Sequence, residues 1–133
     1  MGEYLGGLPA FAAWLALSLA LLFLFSVVYV VLTPPDELRL IRQGNVSASI
    51  CLGGAMLGFS LPLASAMVHG SNLVDFLVWG LIAAVVQMLA YGVSRLLFRR
   101  MPEDIVEDHV ATAVITAAIA LTVGVLNAAA IYG

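Results

Sequence analysis

The densest group of ionisable side chains in the sequence lies between residues 103 and 109. The spacings 103/107 and 104/108 would stack carboxylates on one face of a helix, where their oxygens could hold a divalent cation. The structural interpretation is that acids are favoured near a helix N-terminus and that Pro102 occupies the first turn. We favour the structural role and predict no metal site. The group consists of Glu103, Asp104, Glu107, Asp108 and His109.

Three amide side chains are the next candidates for chemistry, because they lie in or beside long apolar segments. Asn127 lies deep in the C-terminal segment, Gln87 lies in the middle of the third, and Asn45 begins the second. We interpret Asn127 and Gln87 as groups that form interhelical hydrogen bonds and fix packing. The alternative is that the faces carrying Asn45 and Asn127 line a pore.

Pro62 lies inside the second apolar segment. A proline there removes one helix hydrogen bond and frees the carbonyl of Gly58, so it predicts a kink. Free carbonyl oxygens at a break in a membrane helix can coordinate a cation. We favour a kink that serves packing.

The residue patterns needed for catalysis or cofactor binding are missing from the sequence. It has no recognisable Ser/His/Asp constellation, no HExxH motif and no phosphate loop. Its single cysteine, Cys51, is typical of an inert small apolar residue. We therefore predict that the protein is not an enzyme and binds no cofactor.

No apolar segment contains a deep Asp, Glu or Lys, which argues against a proton-coupled transporter, because such a protein needs a group that takes up the proton.

The elements that must position these groups are four long uncharged segments. Hydrophobic residues make up 63% of the 133 residues and charged residues 10%, far outside the range of soluble domains. A membrane-spanning helix needs roughly 20 apolar residues, and each segment is long enough for one. Continuous apolar runs also exclude the alternating strands of an outer-membrane barrel. The sequence therefore predicts an all-α membrane protein whose four transmembrane helices lie at 8–32, 45–68, 75–98 and 109–132.

The placement of the basic residues predicts the orientation of these spans. All five are arginines, and they lie in the loops 33–44 and 99–108 or at the end of span 3. The positive-inside rule places both loops in the cytoplasm and both termini on the outer side of the membrane. We expect the first span to be retained, because a signal peptide has a basic segment before a short apolar core, whereas this apolar run is longer and no basic residue precedes it. A net charge of −3 gives no case for nucleic-acid binding.

Alignment of the chain with itself indicates two tandem hairpins. Trp14 aligns with Trp79 at an offset of 65, and 45–50 aligns with 109–114 at an offset of 64. Two spans separate equivalent positions, so both halves have the same orientation, unlike the inverted repeats of many secondary transporters. We predict one membrane domain, 1–133, built as a parallel repeat of 8–68 and 73–132.

Small residues distinguish spans 2 and 4 from the bulky span 1. Helices in a membrane associate by close packing, which small residues permit, so we expect spans 2 and 4 to be central and span 1 to face lipid. Span 2 has two small faces, one with Asn45, Ser49, Gly53 and Ser60 and one with Gly54 and Gly58. We predict tight contacts within the chain or between copies. The predicted helix-packing residues are Gly54, Gly58, Thr116, Ala120, Gly124 and Ala128.

Several of these motifs resemble a known family. The segments 45–48, 53–54 and 61–63, with Gly58, resemble the first half of the bacterial domain-of-unknown-function family 350, the YjfL-like membrane proteins. The segment 124–129 resembles the end of its second half. The resemblance covers the whole chain and implies a bacterial inner-membrane protein of four spans without an assigned activity. Relatives are often encoded near membrane-remodelling proteins similar to phage-shock protein A, which implies envelope maintenance and a cytoplasmic partner of that kind.

The leading hypothesis is a non-enzymatic inner-membrane protein that lies in the lipid bilayer and self-associates through spans 2 and 4 as a homo-oligomer. It would act as a membrane component or as a partner for a cytoplasmic protein. The runner-up is a small oligomeric ion channel, and a small transporter is third.

Overall fold

The computed structural model describes residues 2–34 and 36–131, apart from the side chain of Glu3. Tyr132, the last residue of the predicted fourth span and second repeat, lies outside the described residues, as does Pro35. All regular structure in the described part is helical. In chain order the helices are α1 (Gly2–Leu32), α2 (Glu37–Arg42), α3 (Val46–His69), α4 (Leu73–Leu97), α5 (Met101–Val106) and α6 (Val110–Ala130).

The four long helices α1, α3, α4 and α6 are long and apolar enough to cross a membrane. Their bounds match the four predicted spans, so the prediction of an all-α protein with four spans is confirmed. The main difference is at the start, where α1 begins at Gly2 and continues through Pro9.

The breaks between helices follow local backbone chemistry. Asn45 and Asn72 are the N-caps of α3 and α4, and each side-chain oxygen accepts a hydrogen bond 2.8 Å long from a backbone N–H of the first turn. Gly44, just before Asn45, has a φ of +86°, a conformation that glycine adopts without steric cost. These residues end one helix and fix where the next begins.

The two short helices lie at the same end of the bundle. We call this the arginine end. Leu40 of α2, Met101 and Ile105 of α5, and Cys51 and Ala113 of the long helices form one buried apolar cluster there. The short helices therefore belong to the packed structure. The arginine end is defined by Arg39, Arg42, Arg95, Arg99 and Arg100.

Both halves have the same order of elements: a long helix, a short helix and a second long helix. Gly44 and Asp108 both have positive φ, at +86° and +59°, and they precede the N-caps Asn45 and His109. These pairs are 64 residues apart, which is the offset of the sequence alignment. The internal repeat itself stays a prediction.

Helix α3 is the centre of the bundle. It contacts the other three long helices, and its contact with α6 is the most extensive of any pair. In the most apolar window of α3, 44% of the residues are buried, against 22% for α1 and 17% for α6. The expectation for span 2 is met. The expectation that span 4 is also central is met only in part, because α6 packs closely on α3 along one side and leaves its other sides exposed.

Aromatic contacts hold α1 against this centre. Phe25 stacks on Phe59 of α3 with ring centroids 4.4 Å apart, and Tyr29 meets Tyr91 of α4 edge-on at 5.5 Å. Such pairs contribute roughly 0.5–1.5 kcal/mol each beyond the area they bury. The opposite side of α1 exposes large apolar side chains, as a lipid-facing helix would.

Candidate functional site

Glycines on α3 and α6 bring the two backbones into direct contact. A Cβ added at Gly54 would lie 2.5 Å from the Cβ of Ala117, and one added at Gly58 would lie 2.6 Å from the carbonyl oxygen of Ala120. A Cβ at Gly124 would overlap the carbonyl of Gly58. Any side chain at these positions would push the helices apart. The close contact between α3 and α6 therefore lies at the small residues whose spacing indicates tight helix packing.

The remaining predicted packing residues lie along the same side of α6. The hydroxyl of Thr116 donates to the carbonyl of Thr112 at 2.8 Å, and it is also 3.2 Å from the sulfur of Met101. The carbonyl of Ala128 accepts a hydrogen bond of 2.8 Å from the hydroxyl of Ser65 on α3. The α3–α6 contact therefore combines close backbones with polar links.

Pro62 is fully buried in α3, and the helix continues through it. The carbonyl of Gly58 loses its helical donor there. That carbonyl faces Gly124, where even a methyl group would overlap it. The arrangement fits the packing interpretation of Pro62 in the sequence.

Gln87 and Asn127, here called the amide pair, bond to each other between α4 and α6. The Nδ2 of Asn127 lies 3.3 Å from the Oε1 of Gln87 and 3.3 Å from the carbonyl of Ala83. The Nε2 of Gln87 donates to the carbonyl of Ala120 at 3.2 Å. Both side chains are buried. The structure thus brings these two predicted residues together, and their hydrogen bonds join the helices.

Asn45 lies at the arginine end, far along α3 from the level of Asn127. Besides capping α3, its Nδ2 donates to the carbonyl of Ile105 at 2.8 Å. A second hydrogen bond joins the same two connections, because the carboxylate of Asp108 accepts from the backbone N–H of Ser47 at 2.8 Å. The hydroxyl and backbone N–H of Ser47 both lower the pKa of Asp108. The two links tie the α2–α3 connection to the α5–α6 connection.

The carboxylate stacks considered as the alternative for the acidic group do not form. Helix α5 ends at Val106, so Glu107 and Asp108 lie beyond it, and Asp108 turns to the left-handed region with φ +59° to reach α3. Pro102, Glu103 and Asp104 do occupy the first turn of α5, as the structural interpretation expects.

Three members of the acidic group are close together in a different arrangement. Ligand atoms of Asp104, Glu107 and His109 lie within 4.8 Å of one another, and these atom types can coordinate a cation. The imidazole is 3.2 Å from Asp104 and 3.5 Å from Glu107, and Thr112 donates to Asp104 at 3.0 Å. Glu107 and His109 are exposed, so water competes with any such ligand role.

Glu37 is the residue that sequence reasoning missed. It lies within the predicted loop 33–44, but it is the first residue of α2 and is only 3% exposed. Burial raises the pKa of its carboxyl group to about 8, although the hydroxyls of Tyr29 and Thr33 act in the opposite direction. The signal in the sequence is helical spacing, because Glu37 shares a face with Leu40 and Ile41, which pack inward.

A small internal cavity lies between α1, α3, α4 and α6, next to Tyr29. Its volume is about 10 Å³, room for about one water molecule. Polar groups in its wall include the side chains of Gln87, Tyr91, Ser94 and Thr116. The guanidinium of Arg95 lies 3.5 Å from the hydroxyl of Tyr91. Tyr29 and Tyr91 thus line this cavity and are also neighbours of Glu37.

Comparison with known proteins identifies the family. The family model described as Domain of Unknown Function (DUF350) matches residues 3–131. The chain is 34% identical over 125 residues to the UPF0719 inner membrane protein YjfL of Escherichia coli strain K12, and equally to that of Escherichia coli O157:H7. The match covers 94% of this chain and 95% of each relative. No solved structure matches. The resemblance noted in the sequence is therefore confirmed, and the chain belongs to the DUF350 family of membrane proteins.

Proposed function

We propose that this protein is a non-enzymatic component of the bacterial inner membrane that assembles with copies of itself through the outward face of α3. In this role it would serve as the membrane partner of a cytoplasmic membrane-remodelling protein in envelope maintenance. The inner-membrane location of the curated relatives and the four apolar helices support the membrane part of this proposal. The observation that carries the assembly part is the division of α3 into two small-residue faces.

One face of α3 is used within the chain, and the other is open. Gly54 and Gly58 touch α6, whereas a Cβ added at Gly53 would meet nothing within 4 Å. The hydroxyls of Ser49 and Ser60, on the open side, bond to carbonyls of their own helix at 2.7 Å. An open stripe of this kind lets a second helix approach closely, and close packing favours helix association in lipid, where the hydrophobic effect does not drive it.

The arginine end would face the cytoplasm by the positive-inside rule. This orientation presents α2 and α5 to a cytoplasmic partner and leaves both termini on the periplasmic side. Single cysteines at Glu103 and at Ser71, both exposed, test it with a reagent that does not cross the membrane. We expect Ser71→Cys to be labelled in spheroplasts and Glu103→Cys to be labelled only after lysis. The reverse pattern would contradict the orientation.

Self-association is tested by adding bulk to the open face. We expect wild type to run as an oligomer in mild detergent and Gly53→Leu to shift to smaller particles. Gly92→Leu is the matched control, because Gly92 is an exposed glycine on α4 with nothing within 4 Å of an added Cβ. A wild type that is monomeric, or a Gly53→Leu oligomer like that of wild type, would contradict the proposal.

The ion-channel alternative makes a different prediction. In it, wild-type protein in liposomes conducts ions, and Asn127→Leu abolishes the flux while the oligomer persists. The bonds of the amide pair within the chain favour a packing role for Asn127. We expect no ion flux from wild type, and a reproducible flux lost in Asn127→Leu would favour the channel.

A further inference from the structure

A buried carboxylate at the arginine end has no place in the proposed function. Glu37 is 3% exposed, and its Oε2 atom has no hydrogen-bond partner among the described residues. Buried polar groups are nearly always hydrogen-bonded, and buried carboxylates are normally paired with a cation. The Oε2 atom of Glu37 departs from the first rule, and the carboxyl group as a whole departs from the second.

The groups around Glu37 come from three long helices and their connections. The hydroxyls of Tyr29 and Thr33 face its carboxyl group, while Cys51 of α3 and Tyr91 of α4 are its electrostatic neighbours. None of these side chains is a cation. Neither ion pair between described residues includes Glu37.

The charge state of Glu37 therefore decides whether its position is favourable. An ionised carboxylate there would be a buried negative charge without a counter-charge, which is costly. The neutral acid removes that charge and adds an O–H donor. We propose that Glu37 is a proton-binding site, which takes up a proton from water at the arginine end when α2 packs on the bundle and returns it to that water when α2 moves away.

The properties of the carboxyl group agree with this role. Burial raises its pKa to about 8, so that it stays protonated at neutral pH, where a free glutamate is ionised. Proton release then occurs close to physiological pH.

The position of Glu37 supplies the mechanical link. Glu37 and Leu40 are the buried residues of α2, and Leu40 shares an apolar cluster with Met101 and Ile105 of α5. Ionisation of Glu37 favours a state in which the carboxylate reaches water, and α2 must leave the bundle to allow it. The inference goes beyond self-association, because it concerns α2 and not the open face of α3.

The first test measures stability against pH. The folded-state pKa, about 8, is above the ordinary value of 4.5, so the contribution of Glu37 to stability is greatest at about pH 5 and is lost as the pH rises to about 8. Its ratio of folded to unfolded molecules should fall by up to about tenfold per pH unit between about pH 5 and pH 8, and change little above that. Glu37→Gln should lack this dependence, and Glu103→Gln, which alters an exposed acid of α5, should retain it.

The second test observes the proton without unfolding the protein. The infrared carbonyl band of a protonated carboxylic acid should be present in wild type at neutral pH and disappear near pH 8. It should be absent from Glu37→Gln and present in Glu103→Gln. A wild type without this band, or with the same pH profile of stability as Glu37→Gln, would overturn the proposal.

Discussion

The two small-residue faces of α3 are similar in composition and differ in what surrounds them. On the inward face, Gly54 and Gly58 touch the backbone of α6. On the outward face, Gly53 has open space around it, and Ser49 and Ser60 bond only to their own helix. Small residues thus define where a helix can be approached closely, and the rest of the fold decides which partner approaches.

The largest effect in this comparison should come from bulk on the inward side. Gly58→Leu and Gly124→Leu would each insert a side chain against backbone atoms, which cannot move away as a flexible side chain can. We expect a loss of at least about 3 kcal/mol in the free energy of unfolding, or no folded protein. Thermal unfolding in detergent measures it. Variants as stable as wild type would show that α3 and α6 do not meet at these glycines.

A smaller effect should follow from loss of the amide pair. Asn127→Leu removes two hydrogen bonds between α4 and α6, and bonds of this kind contribute about 0.6–2 kcal/mol in membranes. Because Gln87 shares one of those bonds, the cost of the double variant Asn127→Leu/Gln87→Leu should be less than the sum of the single costs. Additive costs would mean that the two amides do not interact.

The smallest effect on stability should come from adding a bulky side chain to the outward face of α3. Gly53→Leu places its side chain in open space, so we expect a change within about 0.5 kcal/mol in the free energy of unfolding of the monomer. Gly92→Leu should behave alike. A large loss of stability for monomeric Gly53→Leu would show that the outward face is also packed within the chain, and it would contradict the difference between the two faces.

Much of the fold could be predicted because it depends on local sequence. The spans follow from uncharged windows, and the inward glycines from their spacing. Asn45 was found as the start of a span, but its hydrogen bond to Ile105 joins residues 60 positions apart and has no sequence signal. Which of the two faces of α3 meets α6 also depends on tertiary packing, and the sequence left it open.

The arginine end shows why the charged residues were harder to predict. A charge in a loop is usually solvated, so nothing in the predicted loop 33–44 singled out Glu37. The inward face of α2 buries it instead, because Leu40 anchors that face in the cluster with α5. For the acidic group, the favoured structural interpretation agrees with the first turn of α5. The alternative of stacked carboxylates needs a longer helix than α5, whose end at Val106 lets Asp108 bond to Ser47.

The central claim is that the inward face of α3 builds the monomer and the outward face joins copies. Oxidative cross-linking in native membranes tests it most directly, because a disulfide forms only when two Cα atoms are within about 7 Å. We predict that Gly53→Cys chains cross-link to dimers, while Gly92→Cys chains and wild type, whose Cys51 is buried, do not. No dimer from Gly53→Cys, or equal cross-linking of Gly92→Cys, would contradict the account.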